Sequence, residues 1–240
     1  MDSFIKTVTS ICDSVKGKKR SKKQINLSFD EWNVWFHTLN DDTKIEKWIE
    51  SPPRLEDIYT MEDALVVGTM LITLLKNADR VKVACLAQLV NVIAPIMTDP
   101  NGVAWRQTIF YPFMHASLFG RGTVLRCPVT CEKYDSLEYT DVPYLETVAV
   151  HNEENNEVTI FAVNRNLNEA MELEAELAGF EGYKLAEHIT MHNDNLKAVN
   201  SAKGEVVKPE TVNCGKLDGT KFQTRLPAAS WNVLRFVKDK

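Results

Sequence analysis

Apolar and polar positions follow two different rhythms along the chain, and the change falls near residue 122. From Asp2 to Val15 the apolar side chains Phe4, Ile5, Val8, Ile11, Cys12 and Val15 recur at the spacing of one helical face. The basic stretch Lys16 to Lys23 reads as the end of that helix, where the dipole favours cations, followed by a solvated turn. Ile25 to Glu31 alternates apolar and polar, the period of a strand. Met61 to Asn77 is apolar enough for a buried helix. Val81 to Val90 is a nearly unbroken apolar run, interrupted by Lys82 and Gln88, as expected of a parallel strand covered on both faces. Ala104 to Phe119 returns to a helical pattern, with Pro112 either kinking it or standing in its first turn. This half therefore reads helix, strand, helix, strand, helix: two βα units.

Past Gly120-Arg121-Gly122 the runs shorten. Strands are predicted at Thr123 to Val129, Leu145 to His151, Val158 to Asn164, Met171 to Leu177, Tyr183 to Met191, Lys221 to Leu226 and Trp231 to Val237. Turn signals separate them, among them Asn152 to Asn156, Gly179 to Gly182 and Asp218-Gly219. Short strands at such spacing predict an all-β sandwich, so the chain divides at 1–122 and 123–240. The polar stretch Thr38 to Thr60, centred on Pro52-Pro53, is a long connection after a strand, the position of a rim or cap. Trp48 within it is expected to be buried under its own loop; packing on a partner or a substrate is the other reading.

Composition narrows the class. A hydrophobic content of 44% and a charged content of 25% over 240 residues are ordinary for a globular protein. A net charge of −5 offers no general attraction to nucleic acid or to an anionic membrane. Five cysteines at irregular spacing make no disulfide framework. Cys127 and Cys131 stand near each other without the second pair or histidines a zinc site needs, so no metal is expected. A reducing compartment fits, no signal peptide is visible, and the apolar run Ala64 to Leu75 is too short to span a bilayer; a cytoplasmic location is expected.

The chemistry concentrates in Ile25 to His37, where a strand ends in two carboxylates and then two tryptophans. A carboxylate on such a rigid mount beside aromatic faces suits a sugar-cleaving site, although acids at a strand end can also merely face water. Simple alternation puts Glu31 on the face of Ile25, Leu27 and Phe29, leaving Asn26, Ser28 and Asp30 for the other. If the first face met a barrel axis, the polar one would meet covering helices, an unfavourable arrangement. A one-residue bulge near the strand end resolves the conflict by re-aiming Glu31.

Leu27-Ser28-Phe29-Asp30-Glu31-Trp32-Asn33-Val34-Trp35 resembles the nucleophile segment of glycoside hydrolase family 51, the intracellular α-L-arabinofuranosidases. Val81 to Thr98, Ala104 to Gly120 and Leu226 to Phe236 are similar to that family in the same order. The likeness covers nearly the whole chain but only the C-terminal half of such an enzyme. It implies the last two βα units of a TIM (β/α)8 barrel followed by a C-terminal β-sandwich. It implies a retaining hydrolase that releases terminal arabinofuranosyl groups from arabinan- or arabinoxylan-type oligosaccharides, without metal or organic cofactor. Full-length members are homo-oligomers, usually hexamers.

A retaining glycosidase needs two carboxyl groups about 5–5.5 Å apart, one attacking and one serving as acid and base. By resemblance Glu31 is the nucleophile, Trp35 offers an apolar face to the sugar, and Gln88 bonds a hydroxyl. Without the family, Gln88 reads more readily as a core amide satisfied by backbone. Trp32 and His37 lie in the motif but stay outside the expected site. The family's acid/base is a glutamate preceded by asparagine on an earlier barrel strand, and no such pair precedes Glu31. Asn152-Glu153 has that dipeptide in a sandwich turn, where it reads as turn chemistry. The expectation is therefore an arabinofuranosidase fragment, inactive alone. The alternative is a non-catalytic relic, or a structural or carbohydrate-binding sandwich module.

Overall fold

The computed structural model describes residues 1–36, 44–50, 52, 55–212 and 214–238; His37 and Pro53 lie outside the described residues. In the first half, helix α1 (Asp2–Lys18) leads to strand β1 (Leu27–Trp32), helix α2 (Met61–Lys76) and strand β2 (Val81–Leu86). β1 and β2 form a parallel pair, with α2 in the connection between them. α2 starts at Thr60 because Thr60 and Asp63 form a reciprocal capping box. Its next two amide groups donate to the carbonyls of Ala198 and Leu196 across the chain.

Two expectations for this half are corrected. β2 stops at Leu86 rather than Val90. The Ala87 amide still donates to the Trp32 carbonyl at 3.0 Å, but the Ala87 carbonyl accepts from the Asn33 side chain at 2.6 Å. The Gln88 amide donates to Ile93 at 3.2 Å, so the backbone beyond Leu86 is satisfied by a side chain and a loop instead of a ladder. Likewise Ala104–Arg106 is a short strand, β4, paired with β3 (Ile96–Thr98). The Asp99 carboxylate accepts the Asn101 and Val103 amides and holds that hairpin's turn. Helix α3 therefore begins only at Phe110 and runs to Phe119, which puts Pro112 in its first turn, where a missing N–H costs little.

The second half is a β-sandwich. Strands β5 (Thr123–Leu125), β8 (Leu145–Asn152), β9 (Glu157–Asn164), β15 (Ser230–Val237), β11 (Lys184–His192) and β12 (Glu210–Thr211) neighbour one another in that order in one antiparallel sheet. Strands β10 (Met171–Glu176), β14 (Lys221–Leu226) and β13 (Lys216–Asp218) form the second, and β6 (Lys133–Tyr134) pairs with β7 (Val142–Pro143) beside them. Between the sheets lie Ile160, Ala162, Leu173, Phe222, Leu234 and Phe236. The opposite face of the large sheet, with Val148, Phe161, Val163, Trp231 and Val233, packs against Met61, Ala64, Leu65 and Ile72 of α2 and Tyr111 of α3. The large sheet is thus covered on both sides, and its central strands β9 and β15 are buried with little alternation for that reason.

α2 is shared between the halves. Val67, Leu71 and Leu74 turn the other way and pack with Ile5, Trp32, Tyr59, Val81 and Ile109. Gly68 faces the sandwich at such close range that a Cβ there would stand 2.6 Å from the Trp231 ring. The Trp231 indole N–H donates to His115 Nδ1 at 3.1 Å. His115 is buried, and burial pushes its pKa down to about 4. A bidentate ion pair adds a polar tie: Arg106 Nε and a terminal nitrogen donate to Glu205 at 2.9 and 2.8 Å, and the Tyr111 hydroxyl donates to Glu205 at 2.8 Å. The Arg106 hydrogen bonds hold the Glu205 carboxyl down at about 2.

Candidate active site

Burial along β1 keeps time until Phe29 and then skips a beat. Leu27 and Phe29 are half-buried, Ser28 and Asp30 are exposed, and the next buried residue is Trp32, not Glu31. The register shows why. Phe29 pairs with Ala84 and Trp32 with Leu86, so three residues of β1 advance against two of β2. This irregularity sits at Asp30–Glu31, where resolving the alternation required a bulge. Its effect is to keep Leu27, Phe29 and Trp32 on the side of α1 and α2 and to leave Glu31 exposed.

Both strands end at the same side of the pair, and a set of side chains locks the ends together. Asn33 Nδ2 donates to the carbonyls of Ala87 and Ile93, each at 2.6 Å, and its Oδ1 accepts the Val34 amide at 2.8 Å. The Val34 carbonyl accepts the Tyr59 hydroxyl at 3.2 Å. Gln107, almost fully buried, accepts the Tyr59 amide through Oε1 at 2.9 Å and donates through Nε2 to Asp57 and Ala94 at 2.8 and 2.9 Å. Motif matching passed over Asn33, Tyr59 and Gln107. For Asn33 the available signal was an amide between two tryptophans at a strand end; for Gln107 it was a polar residue beside an apolar helix.

The segments after the two strands carry the expected site residues. Trp35 follows β1 by three positions and Gln88 follows β2 by two, so both share the C-terminal end of the parallel pair with Glu31. All three are exposed, Trp35 by 56%. Among the described residues, cavities of about 550, 450, 440, 290 and 270 Å³ are lined by other residues; the smallest of these adjoins Trp32, Val81 and Phe113 on the helix side. Trp32 is buried there among apolar side chains and serves packing. Trp48 corrects the expectation of burial: it is fully exposed at φ +69°, because the turn over 44–50 carries it outward. Asn152 and Glu153 lie at the β8–β9 turn, where Asn152 Oδ1 accepts the Asn155 amide. Among the described residues no group of three or more histidine, cysteine or carboxylate side chains could hold a metal.

The chain as a whole is similar to known proteins. The family model for the α-L-arabinofuranosidase C-terminal domain matches residues 30–230. The chain belongs to that family. An intracellular exo-α-(1→5)-L-arabinofuranosidase of Halalkalibacterium halodurans is 56% identical over 238 residues, 99% of this chain and 47% of the relative. A Bacillus subtilis enzyme of the same description is 52% identical over 239 residues, 100% of this chain and 48% of the relative. A family 51 α-L-arabinofuranosidase structure from Bifidobacterium longum superposes with a TM-score of 0.91 at 37% identity, over 99% of this chain and 48% of that one. The chain spans about half the length of the curated relatives it matches. As a member of the arabinofuranosidase C-terminal domain family, it holds within the matched residues the end of β1, helices α2 and α3, and the sandwich up to the start of β15. Among the described residues no helix is long and apolar enough to cross a membrane.

Proposed function

We propose that this chain carries the nucleophile half of a retaining α-L-arabinofuranosidase acting on arabinan- or arabinoxylan-type oligosaccharides. The observation that carries the reading is the gathering of Glu31, Trp35 and Gln88 at one end of two parallel strands whose ends Asn33 pins together. In this reading the β1–α2 and β2–α3 units, within residues 1–122, are the last two of a (β/α)8 barrel, and 123–240 is the supporting sandwich. The exposed face bearing Ser28 and Asp30 is the barrel lining, and the C-terminal strand ends are where such barrels hold their chemistry.

Glu31 attacks the anomeric carbon and forms a covalent glycosyl-enzyme. Trp35 covers an apolar face of the pentose and Gln88 bonds a hydroxyl. The second carboxyl, which protonates the leaving oxygen and then activates water, comes from a barrel segment outside these 240 residues. Asp30 is not given that role, because the resemblance places the role on a glutamate preceded by asparagine on an earlier barrel strand. No step calls for a metal or an organic cofactor. The assembled enzyme is a homo-oligomer, hexameric in the family pattern, and works in the cytoplasm, in keeping with the intracellular relatives.

The experiment is to give an aryl α-L-arabinofuranoside to the chain alone and to a chimera with the N-terminal half of the Halalkalibacterium relative ahead of it. The chain alone should show negligible turnover. The chimera should hydrolyse the substrate, and its Glu31→Gln variant should not. Turnover by the chain alone near that of a full-length relative would refute the reading. An inactive but folded chimera would favour a non-catalytic sandwich module.

A further inference from the structure

The two sheets of the sandwich enclose a polar cluster far along the chain from Glu31. His188 on β11 is 1% exposed. Its Nε2 faces Asn232 Oδ1 at 3.3 Å. Its Nδ1 faces three atoms: the Cys214 carbonyl at 3.2 Å, Cys214 Sγ at 3.3 Å and Thr224 Oγ1 at 3.5 Å. Cys214, between β12 and β13, is an exposed free cysteine. Its carbonyl and its sulfur both lie against the buried imidazole.

The hydrogen positions follow from the partners. Ser230 donates its hydroxyl hydrogen to the Pro227 carbonyl at 2.7 Å and therefore accepts from Asn232 Nδ2 at 2.8 Å. That fixes Asn232 with its oxygen toward the imidazole, so Nε2 carries a hydrogen. Thr224 gives its hydrogen to the Cys214 carbonyl at 2.9 Å rather than to the sulfur at 3.7 Å. It too presents only lone pairs to Nδ1. Every oxygen around the ring is thus an acceptor. With the hydrogen on Nε2, Nδ1 is left to accept, and the group beside it able to donate is the Cys214 thiol at 3.3 Å. The neighbouring charge is already engaged: Glu187 accepts from Arg235 at 2.9 Å and from Thr211 at 3.1 Å.

We infer that Cys214 and His188 form a nucleophile–base pair, and that Cys214 is a modification site for small disulfides. The Cys214 thiol passes its proton to His188 Nδ1 as its sulfur attacks one sulfur of a disulfide. A new sulfur–sulfur bond forms, the old one breaks, and its electron pair leaves on the departing thiolate. That thiolate takes the proton from His188, which returns to the neutral imidazole. Cys214 is oxidised and half of the disulfide is reduced, so no further reagent is needed. Cys85, also exposed and free, has no imidazole hydrogen-bonded to its sulfur among the described residues and serves as the internal standard.

The test treats the 240-residue chain with glutathione disulfide at pH 7 and follows each cysteine by peptide mass spectrometry. Cys214 has an imidazole nitrogen at 3.3 Å to take its proton during attack, so it should be modified on the order of tenfold faster than Cys85. His188→Gln should bring Cys214 back to the rate of Cys85 while leaving Cys85 unchanged. Thr224→Val, which keeps the side-chain shape and releases the Cys214 carbonyl, should slow Cys214 alone. The unmutated chain decides even if His188→Gln fails to fold: equal rates at Cys214 and Cys85 overturn the inference. The readout is independent of glycosidase activity.

Discussion

Strand pairs β1–β2 and β8–β9 are both rich in apolar residues, and they end in opposite circumstances. All eight residues of β9 are buried, between a second sheet on one side and helices α2 and α3 on the other. In β2 only Val81 is buried, and Val83 is 50% exposed. The uncovered apolar surface continues around the same half, with Phe4 61% and Ile11 59% exposed on α1. An apolar strand states how many faces need cover; the cover itself comes from elsewhere. For β9 it comes from the same chain. For β1–β2 a helical layer is present on one face and the other face, with Glu31 at its end, is bare. The sandwich is thus a finished body, and the β1–β2 half is an open one fastened to it by α2.

The comparison breaks most visibly if large-to-small changes cost the same in both halves. Phe161→Ala, in the doubly covered strand, should destabilise by about 4 kcal/mol in urea denaturation. Val83→Ala on the bare face should change stability by less than about 0.5 kcal/mol. Similar costs at the two positions would contradict the contrast.

The junction offers a pH probe. His115 is held neutral by burial, at about 4 against an ordinary 6.5. Between those two values the unfolded state binds the extra proton and the folded state does not, so stability falls as pH falls from 6.5 to 4. The full loss is about 3 kcal/mol. Glu205, depressed by Arg106, adds its own loss lower down, between 4.5 and about 2. His115→Gln, which retains an acceptor for Trp231, should flatten the melting temperature between pH 6.5 and 4. The decline below 4.5 should remain.

A smaller effect tests how closely α2 sits on the finished body. A side chain at Gly68 meets the Trp231 ring, which is fully buried and stacked on Phe161 at 5.7 Å between centroids. Gly68→Ala should therefore lose about 2 kcal/mol, although alanine is the better helix former. A gain in stability would mean that α2 can slide off the sheet, and the fastening would be looser than described.

How much could be read from residues alone differed between the two halves for a physical reason. In the sandwich, strand limits are set locally by turn residues, and Lys221–Leu226 falls where the pattern puts it. Near the strand ends of the other half the limits are set by Asn33 reaching residues 54 and 60 positions away, which no local rhythm reports. That is why β2 reads four residues too long. Glu31, by contrast, betrayed its bulge, because regular alternation would have kept it on the face of Leu27 and Phe29, which the helices cover. The clamp through Tyr59 and Gln107 had no such conflict to reveal it.

The account stands on Glu31 as the attacking carboxylate. The direct measurement is to treat the chimera bearing the Halalkalibacterium N-terminal half with an arabinofuranose-configured epoxide and to map the covalent adduct by peptide mass spectrometry. The account predicts a single ester, on Glu31, absent in Glu31→Gln. An ester on another carboxylate, with Glu31 unmodified, would contradict it.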